Sequence, residues 1–296
     1  MREAEIKMDE MVSIVIPAYN RAAKIADAVR SIQQQTYKNW EIIVADDGSS
    51  DNTLKVIEDM AKEDKRIRSV RHERNKGAQT ARNLGIRAAR GPWIAFLDSD
   101  DQWLPESLEM RLRLAQQEDV AVVHSLAYIV HKDKPMEIYH LPAWRGQIYK
   151  NVLSHEGPMF QSLLVRKEAL EKIGYLDESV VAYQEWDTAI RLAKFYPFGF
   201  VAKPTFIYDY TSQDAISRNS IRSAKGYEYI LKKHFGDIVR YAGLAAVAYH
   251  YNVIARWYYE GGDARQAQRH SRLSLFFQLI NPVIYLRKLK SFIRKP

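Results

Sequence analysis

The sequence predicts an α/β protein, with a mostly parallel sheet flanked by helices and an all-helical C-terminal extension. Three observations carry this prediction. Up to Asp101, apolar runs alternate four times with segments of helical period, and the runs empty into polar loops rich in Asp, Asn, Ser and Gly. Repeated units of that kind build a parallel sheet whose loops gather at one edge. From Ala224 the alternation stops, and apolar residues recur at helical spacing. The fingerprints of other α/β folds are also missing. The first strand ends in Pro17-Ala18-Tyr19-Asn20 rather than Gly-x-Gly-x-x-Gly, and neither a P-loop Gly-Lys-Ser/Thr pair nor a Gly-x-Ser-x-Gly elbow occurs.

Taken in order, residues 12–18 read as the first strand, and Ile25, Val29 and Ile32 then share one helix face. The second strand, 41–45, ends at Asp46-Asp47-Gly48-Ser49-Ser50-Asp51-Asn52-Thr53, from which a helix with Leu54, Ile57 and Met60 departs. A third strand near 67–72 precedes Asn75-Lys76-Gly77 and a helix carrying Arg82 and Asn83. The fourth, Trp93-Ile94-Ala95-Phe96-Leu97, follows Gly91-Pro92 and is apolar throughout, as in a strand covered on both faces. Two short strands are expected around His124 and Tyr128, and then a loop with Trp144-Arg145-Gly146. Residues 182–192 form an amphipathic helix with Trp186 and Ile190 on its apolar face. The tail divides into helices at 225–235, 242–260 and 264–280 and a final basic one, with Asp263 as an N-cap after Gly261-Gly262.

The 296 residues, 47% hydrophobic and 27% charged, suffice for one large domain or a domain with an appendage. The absence of cysteine excludes disulfides and thiolate metal sites, and the eight histidines show no metal-ligand spacing. The segment Met1-Arg2-Glu3-Ala4-Glu5-Ile6-Lys7 is too polar for a signal peptide, and no run reaches the ~18 apolar residues of a spanning helix, so a cytoplasmic protein is expected. The net charge of +8 is uneven: from Arg222 onward 14 Lys and Arg face 4 Asp and Glu, leaving 30 against 32 for the earlier residues. A basic tail points to an anionic surface, either membrane or nucleic acid. Nucleic acid is disfavoured, because the tail carries no recognisable recognition motif.

The fourth strand runs into Asp98-Ser99-Asp100-Asp101. Close carboxylates raise one another's pKa unless a positive charge sits between them, so a hard cation such as Mg²⁺ or Mn²⁺ is a natural partner. The C-terminal edge of such a sheet is also where open α/β folds bind ligands. The same run also reads as an acidic turn before a helix, since Pro105-Glu106 follows at a helix start.

Four motifs, in order, resemble those of the bacterial family 2 glycosyltransferases. They are Val15-Ile16-Pro17-Ala18-Tyr19-Asn20, Ala45-Asp46-Asp47-Gly48-Ser49, Asn75-Lys76-Gly77 with Ala81-Arg82-Asn83, and Leu97-Asp98-Ser99-Asp100-Asp101. The resemblance is strong over 12–105 and weaker to about 218. It implies a GT-A, Rossmann-like fold, a nucleotide-activated sugar donor and inversion at the anomeric carbon. Residues 1–221 would be the catalytic domain, with a donor half at about 12–105 and an acceptor half at about 106–221; residues 222–296 would be a basic helical extension. Pro17, Ala18 and Ser99 would line the donor. Tyr19 would stack on the nucleobase and Asp47 would accept from an imide N–H, favouring uracil; otherwise Tyr19 is a rim aromatic and Asp47 a turn residue. Asp98 would hold ribose or metal and Asp100 the metal. Lys76 and Arg82 would balance phosphate charge, although Arg82 also suits a helix surface. Trp144 and Phe160 read as sugar-stacking rings or, more simply, as core.

In that family the base is the Asp of a Glu-Asp pair, and here the pair reads Gln184-Glu185. Glu185 is therefore the expected base, with Asp187 as the fallback; both also suit an acidic helix start. A basic residue expected after Tyr208-Asp209-Tyr210 is replaced by Thr211. The resulting expectation is a metal-dependent inverting transferase acting from a UDP-sugar on a hydroxyl of a glycan or lipid-linked acceptor in surface polysaccharide synthesis. The alternatives are an inactive sugar-nucleotide-binding scaffold and a sugar-phosphate nucleotidyltransferase. Arginines 265, 269 and 272 beside Leu273, Phe276, Phe277 and Ile280 suggest that 264–296 rests on the inner face of the membrane, or packs as an ordinary helix; oligomerisation is left open.

Overall fold

The computed structural model describes residues 9–132, 134–139, 141–210 and 219–281. The chain forms two compact units that interleave in sequence, where a single boundary after residue 221 is expected. The first takes residues up to 148 with 157–179 and 191–213; the second takes 149–156, 180–190 and 214 onward.

The first unit begins with β1 (Val12–Ala18), α1 (Ile25–Gln33), β2 (Trp40–Asp46), α2 (Thr53–Glu63), β3 (Ile67–Arg71), α3 (Ala78–Ala88) and β4 (Trp93–Phe96). These are the expected elements within a residue or two. Strands β1, β2, β3 and β4 pair in parallel, with Val12 level with both Trp40 and Trp93. All seven residues of β2 and all four of β4 are buried, as strands sandwiched between helices require. The level start gives a level finish: Ala18, Asp46 and Arg71 align across the sheet, and Leu97 donates to the Val15 carbonyl as β4 runs out. Helix α3 lies close on β1 because Gly85 has no side chain, since a Cβ there would stand 2.5 Å from Val15 Cγ1.

Beyond β4 the unit adds β5 (Gln102–Trp103), α4 (Ser107–Glu118), β6 (Val122–Val130), β7 (Glu137–Tyr139), β8 (Leu164–Arg166), α6 (Lys167–Lys172) and β9 (Phe198–Asp209); α5 (Tyr149–Ser154) belongs to the second unit. The sheet runs β3-β2-β1-β4-β8-β6-β9-β5, with β7 on β6. It is a mixed sheet: β8 is antiparallel to both β4 and β6, and only β6 and β9 are parallel in this half. The expected pair of strands around His124 and Tyr128 is one strand. Its register against β9 shifts twice, between Ser125 and Tyr128, and the buried polar pair His124-Ser125 imitates a break in the sequence. Ser125 is satisfied there by Thr205, hydroxyl to hydroxyl at 2.6 Å.

In the second unit, α7 (Gln184–Ala193, up to Ile190), α8 (Ser220–Asp237), α9 (Leu244–Glu260) and α10 (Ala264–Leu279) are α-helical. Helix α8 starts five residues earlier than expected because the Asn219 side chain caps it, accepting from the Arg222 N–H. Asp263 caps α10 as expected, accepting from Gln266 N–H at 3.0 Å. Trp186 is wholly buried against Tyr227 and His250, and its indole N–H donates to the Val152 carbonyl. The apolar stripe of α10 divides: Phe277 packs on Phe235 and Tyr251, whereas Leu275, Phe276, Leu279 and Ile280 are exposed. The expected final basic helix lies outside the described residues.

Asp187 is fully buried on α7, with Lys233 Nζ at 2.7 Å and His234 Nε2 at 2.8 Å from one oxygen. Burial alone would raise its pKa, but hydrogen bonds from His234 and Lys233 and their charge overcome this and hold the carboxyl below its ordinary value. Asp187→Asn keeps the shape and deletes the ion pair, so denaturant unfolding at neutral pH should show a loss of roughly 3 kcal/mol. Because the folded-state value is depressed, the wild type's advantage should persist at neutral pH and shrink as the pH falls below 3.8. Equal stability of the two proteins at neutral pH would remove the ion pair from the energetics of this unit.

Candidate functional site

The loops after β1, β2, β3 and β4 converge at one edge of the first unit. Tyr19 follows β1 and is 44% exposed. The next residue, Asn20, adopts φ 52° and is pinned from both sides: its N–H donates to Ser49 Oγ, and its side-chain oxygen accepts from Ser50 N–H, both at 2.9 Å. The loop after β2 therefore sets where Tyr19 stands. Gly48 makes that loop possible. It has φ 77°, and a Cβ there would meet the Arg74 backbone at 2.7 Å, so two loops touch where only glycine fits.

Asp47 is buried and works as a loop clamp. Oδ1 accepts from Lys76 N–H at 3.0 Å and lies 2.9 Å from His72 Nδ1, while Oδ2 accepts from Gly77 N–H at 2.7 Å. Both Asp47 oxygens are thus engaged by the loop after β3. Pro17 is half-buried and Ala18 buried beneath the edge, and the Ala18 carbonyl accepts from Asp47 N–H. The Lys76 side chain is exposed.

The acidic stretch is a turn closed by Asp101 N–H donating to the Asp98 carbonyl at 3.1 Å. Arg82 is not a surface arginine. It is buried, lies 4.5 Å over the Phe160 ring, and donates to Asp98 Oδ1 at 2.6 Å. Phe160 is core, as the simpler reading had it. The other Asp98 oxygen accepts from Gln161 Nε2 at 2.8 Å, and the same amide nitrogen reaches Asp101 Oδ2 at 2.6 Å. Asp101 is buried, and its Oδ1 accepts from Asp209 N–H at 3.0 Å. Lys24 bridges to Asp209 at 3.1 Å. Burial, and then the charge of Asp98, raise the Asp100 carboxyl, against a weaker pull from Arg21 and Lys24. Burial and both neighbouring carboxylates raise Asp101 well above its usual range. Ser99 is buried within the turn.

Among the described residues, no three His, Cys, Asp or Glu side chains group as metal ligands. The donor set nevertheless fits a hard divalent ion. Asp100 and Asp98 offer only oxygen, and they stand two residues apart in one turn. With both Asp98 oxygens already accepting hydrogen bonds, Asp100 is the less engaged ligand.

The structure therefore brings Pro17, Ala18, Tyr19, Asp47, Lys76, Arg82, Asp98, Ser99 and Asp100 to one sheet edge. Glu185 belongs to the second unit, half-buried in the first turn of α7. The fallback Asp187 beside it is sealed in its ion pairs. Sequence reasoning missed Gln161, which no motif marks, and gave Asp101 and Lys24 no role. Asp101 was visible as the third acid of the run; Gln161 lies some sixty residues downstream and carries no local signal.

The family model for glycosyl transferase family 2 matches residues 13–174, more than half of the chain. A Methanocaldococcus jannaschii uncharacterized glycosyltransferase is 31% identical over 243 residues, covering 77% of this chain and 81% of its own length. The Escherichia coli UDP-Glc:alpha-D-GlcNAc-diphosphoundecaprenol beta-1,3-glucosyltransferase WfgD is 40% identical over 126 residues, 42% of this chain and 49% of that one. A Rickettsia felis uncharacterized glycosyltransferase is 37% identical over 150 residues, half of this chain but only 25% of its own. The chain thus spans from about a quarter to four fifths of the relatives it matches. Among solved structures, Staphylococcus aureus TarS 1–349 in complex with UDP-GlcNAc superposes with a TM-score of 0.64 at 15% identity, over 88% of this chain and 90% of that one. The Pyrobaculum calidifontis mannosyltransferase PcManGT, in complex with GDP-Man and Mn²⁺, gives 0.64 at 17% identity, over 95% and 79%. At these identities the structural likeness is one of fold. Family model and fold agree, and the chain belongs to glycosyl transferase family 2, with the GT-A architecture.

Proposed function

We propose that this protein transfers a sugar, with inversion, from UDP to a hydroxyl of a glycan or lipid-linked glycan during synthesis of a surface polysaccharide. The observation that carries the reading is the acidic turn at the end of β4, with Arg82 on Asp98 and Asp100 beside it, at the edge where Tyr19 is exposed. A uridine ring stacked on Tyr19 would lie at the mouth of the loops after β1 and β2. The name of the WfgD relative supports a UDP-sugar donor and a diphosphoundecaprenol-linked acceptor.

Asp100, with Asp98, would hold Mn²⁺ or Mg²⁺, the first being the ion bound by PcManGT. Such an ion, when bound, neutralises the charge that builds on a departing diphosphate. Arg82 and Lys76 add fixed positive charge for the same oxygens, so the leaving group departs as UDP without needing a proton. Glu185 is the proposed base. Its carboxylate takes the proton of the acceptor hydroxyl as that oxygen bonds to the anomeric carbon, while the bond from carbon to the diphosphate oxygen breaks on the opposite side. Asp187 is a poor base by comparison, since it is fully buried and one of its oxygens is committed to both Lys233 and His234.

The tail completes the proposal. Arg265, Arg269 and Arg272 share α10 with the exposed apolar residues Leu275, Phe276 and Leu279, with Ile280 exposed just past its end, and no described helix is long and apolar enough to cross a membrane. A helix of this kind lies on an anionic lipid surface, at ~1 kcal/mol per engaged basic residue. Peripheral binding at the inner face of the cell membrane would concentrate the enzyme where lipid-linked acceptors reside.

Three outcomes are expected. In calorimetry, UDP affinity should rise with Mn²⁺ in the wild type, and Asp100→Asn should lose ~10-fold or more of that metal-dependent affinity, about 1.4 kcal/mol; an unchanged mutant would remove Asp100 from the site. Glu185→Gln should bind UDP normally yet turn over ~10²–10⁴-fold more slowly, and near-normal transfer would move the base elsewhere. Full-length protein should sediment with anionic vesicles at low salt, and less so at high salt or when the chain is cut after Gly262. Equal binding to neutral vesicles would return α10 to a packing role.

A further inference from the structure

One side chain of the first unit does more for the acidic turn than any motif residue except Arg82. Gln161 has a single amide nitrogen with two N–H groups, and each is directed to a different carboxylate, Asp98 Oδ2 at 2.8 Å and Asp101 Oδ2 at 2.6 Å. Gln161 is 3% exposed. It is also fixed from behind. The backbone carbonyl of Gln161 accepts from Trp103 Nε1 at 3.1 Å and from Arg111 Nη1 at 3.2 Å. Arg111 is fully buried, stacks on Trp103, and donates otherwise to the carbonyls of Ser107 and Leu163 and the Ser107 hydroxyl.

The chemistry at position 161 is demanding. A carboxylate in its place would add a further negative charge between two others, and an alkyl chain would leave an oxygen of half-buried Asp98 and one of buried Asp101 without this donor. The amide is neutral and offers two donors on one nitrogen. With Arg82 on Asp98 Oδ1 and Asp209 N–H on Asp101 Oδ1, all four oxygens of Asp98 and Asp101 have a protein donor. Asp100 has no side-chain hydrogen bond among those described.

We propose that Gln161 is a positioning residue of the donor site: it ties Asp98 to Asp101 and so presents Asp100 as the carboxylate available to the divalent cation and the diphosphate. Without it, Asp98 is no longer held in place beside Asp100 and Asp101 competes for the ion, which then settles away from the position that serves the leaving group. The inference rests on the UDP-sugar reading, and it adds a residue that acts through the ligands rather than on the substrate.

The test is calorimetric titration of UDP into wild type and Gln161→Leu, with Mn²⁺ and with EDTA, alongside thermal unfolding of Gln161→Glu with and without Mn²⁺. Gln161→Leu should lose about 10- to 100-fold of its Mn²⁺-dependent UDP affinity and change much less in EDTA, and its donor KM should rise more than its kcat falls. Gln161→Glu should be the less stable protein in EDTA and should gain more in Tm from Mn²⁺ than wild type does, because the added carboxylate enlarges what the ion neutralises. Wild-type affinity in Gln161→Leu, or an equal loss with and without Mn²⁺, overturns the inference. If that variant does not fold, a Mn²⁺ gain in Gln161→Glu no larger than the wild type's overturns it as well. A wild type that binds no UDP with either Mn²⁺ or Mg²⁺ overturns the donor reading, and this inference falls with it; a binding wild type with unchanged variants overturns the inference alone.

Discussion

Repulsion among three carboxylates at the mouth of one buried strand is the constraint around which the first unit is built. Two unit charges 4 Å apart interact by roughly 4 kcal/mol at an effective dielectric of 20, which is a large share of a domain's stability. The sequence places Asp98, Asp100 and Asp101 within four residues at the end of β4, and burial raises the carboxyls of Asp100 and Asp101 further. Their neighbours offset this in distinct ways. Arg82 supplies charge, Gln161 supplies neutral donors, and Lys24, bridged to Asp209, adds only a weaker pull on Asp100. What is left least compensated is Asp100, the carboxylate proposed to meet the divalent ion.

Helix α3 is the part of the scaffold that makes this compensation possible. Gly85 lets it lie against Val15 of β1, which fixes how far Arg82 must reach to Asp98. Its N-terminal approach is tied down by Asp47, which accepts the N–H groups of Lys76 and Gly77. One position beyond Arg82, Asn83 uses its whole amide on the next loop: Nδ2 donates to the Leu176 carbonyl at 2.9 Å and to Glu178 at 2.8 Å, and Oδ1 accepts from Leu176 N–H at 3.0 Å. Adjacent residues on a helix point about 100° apart. Arg82 and Asn83 can therefore serve two neighbours at once, the acidic turn and the 176–178 loop.

The parallel half of the fold was legible because each strand there is a continuous apolar run with a polar stop, and burial on both faces enforces that pattern. The mixed half was not. The register of β6 against β9 shifts at Ser125 and Leu126, and no local period records a bulge or an antiparallel partner from forty residues away. The site followed the same division. Tyr19, Asp47, Arg82, Asp98 and Asp100 stand in contiguous motifs, whereas Gln161 reaches the turn only because β8 folds back beside β4. Arg82 shows the limit of helix reasoning. Its spacing fits a solvated face, and only the three-dimensional position of Asp98 and Phe160 makes it a buried counter-ion.

The departure of Gln184-Glu185 from the family's acidic pair has a local physical cause. Gln184 is buried, and its amide donates to the Val180 carbonyl at 3.1 Å, a bond that a carboxylate cannot make and would instead oppose with its charge. A glutamate at 184 would leave that carbonyl facing an anion, so the amide is the residue that this helix start accepts. Glu185 and Asp187, two positions apart, point about 200° from one another on α7. Asp187 takes the buried side, where Lys233 and His234 hold it, and Glu185 is left half-buried on a different face. The helix thus places its two acids on different faces: Asp187 is committed to Lys233 and His234, and Glu185 is the one proposed as the base.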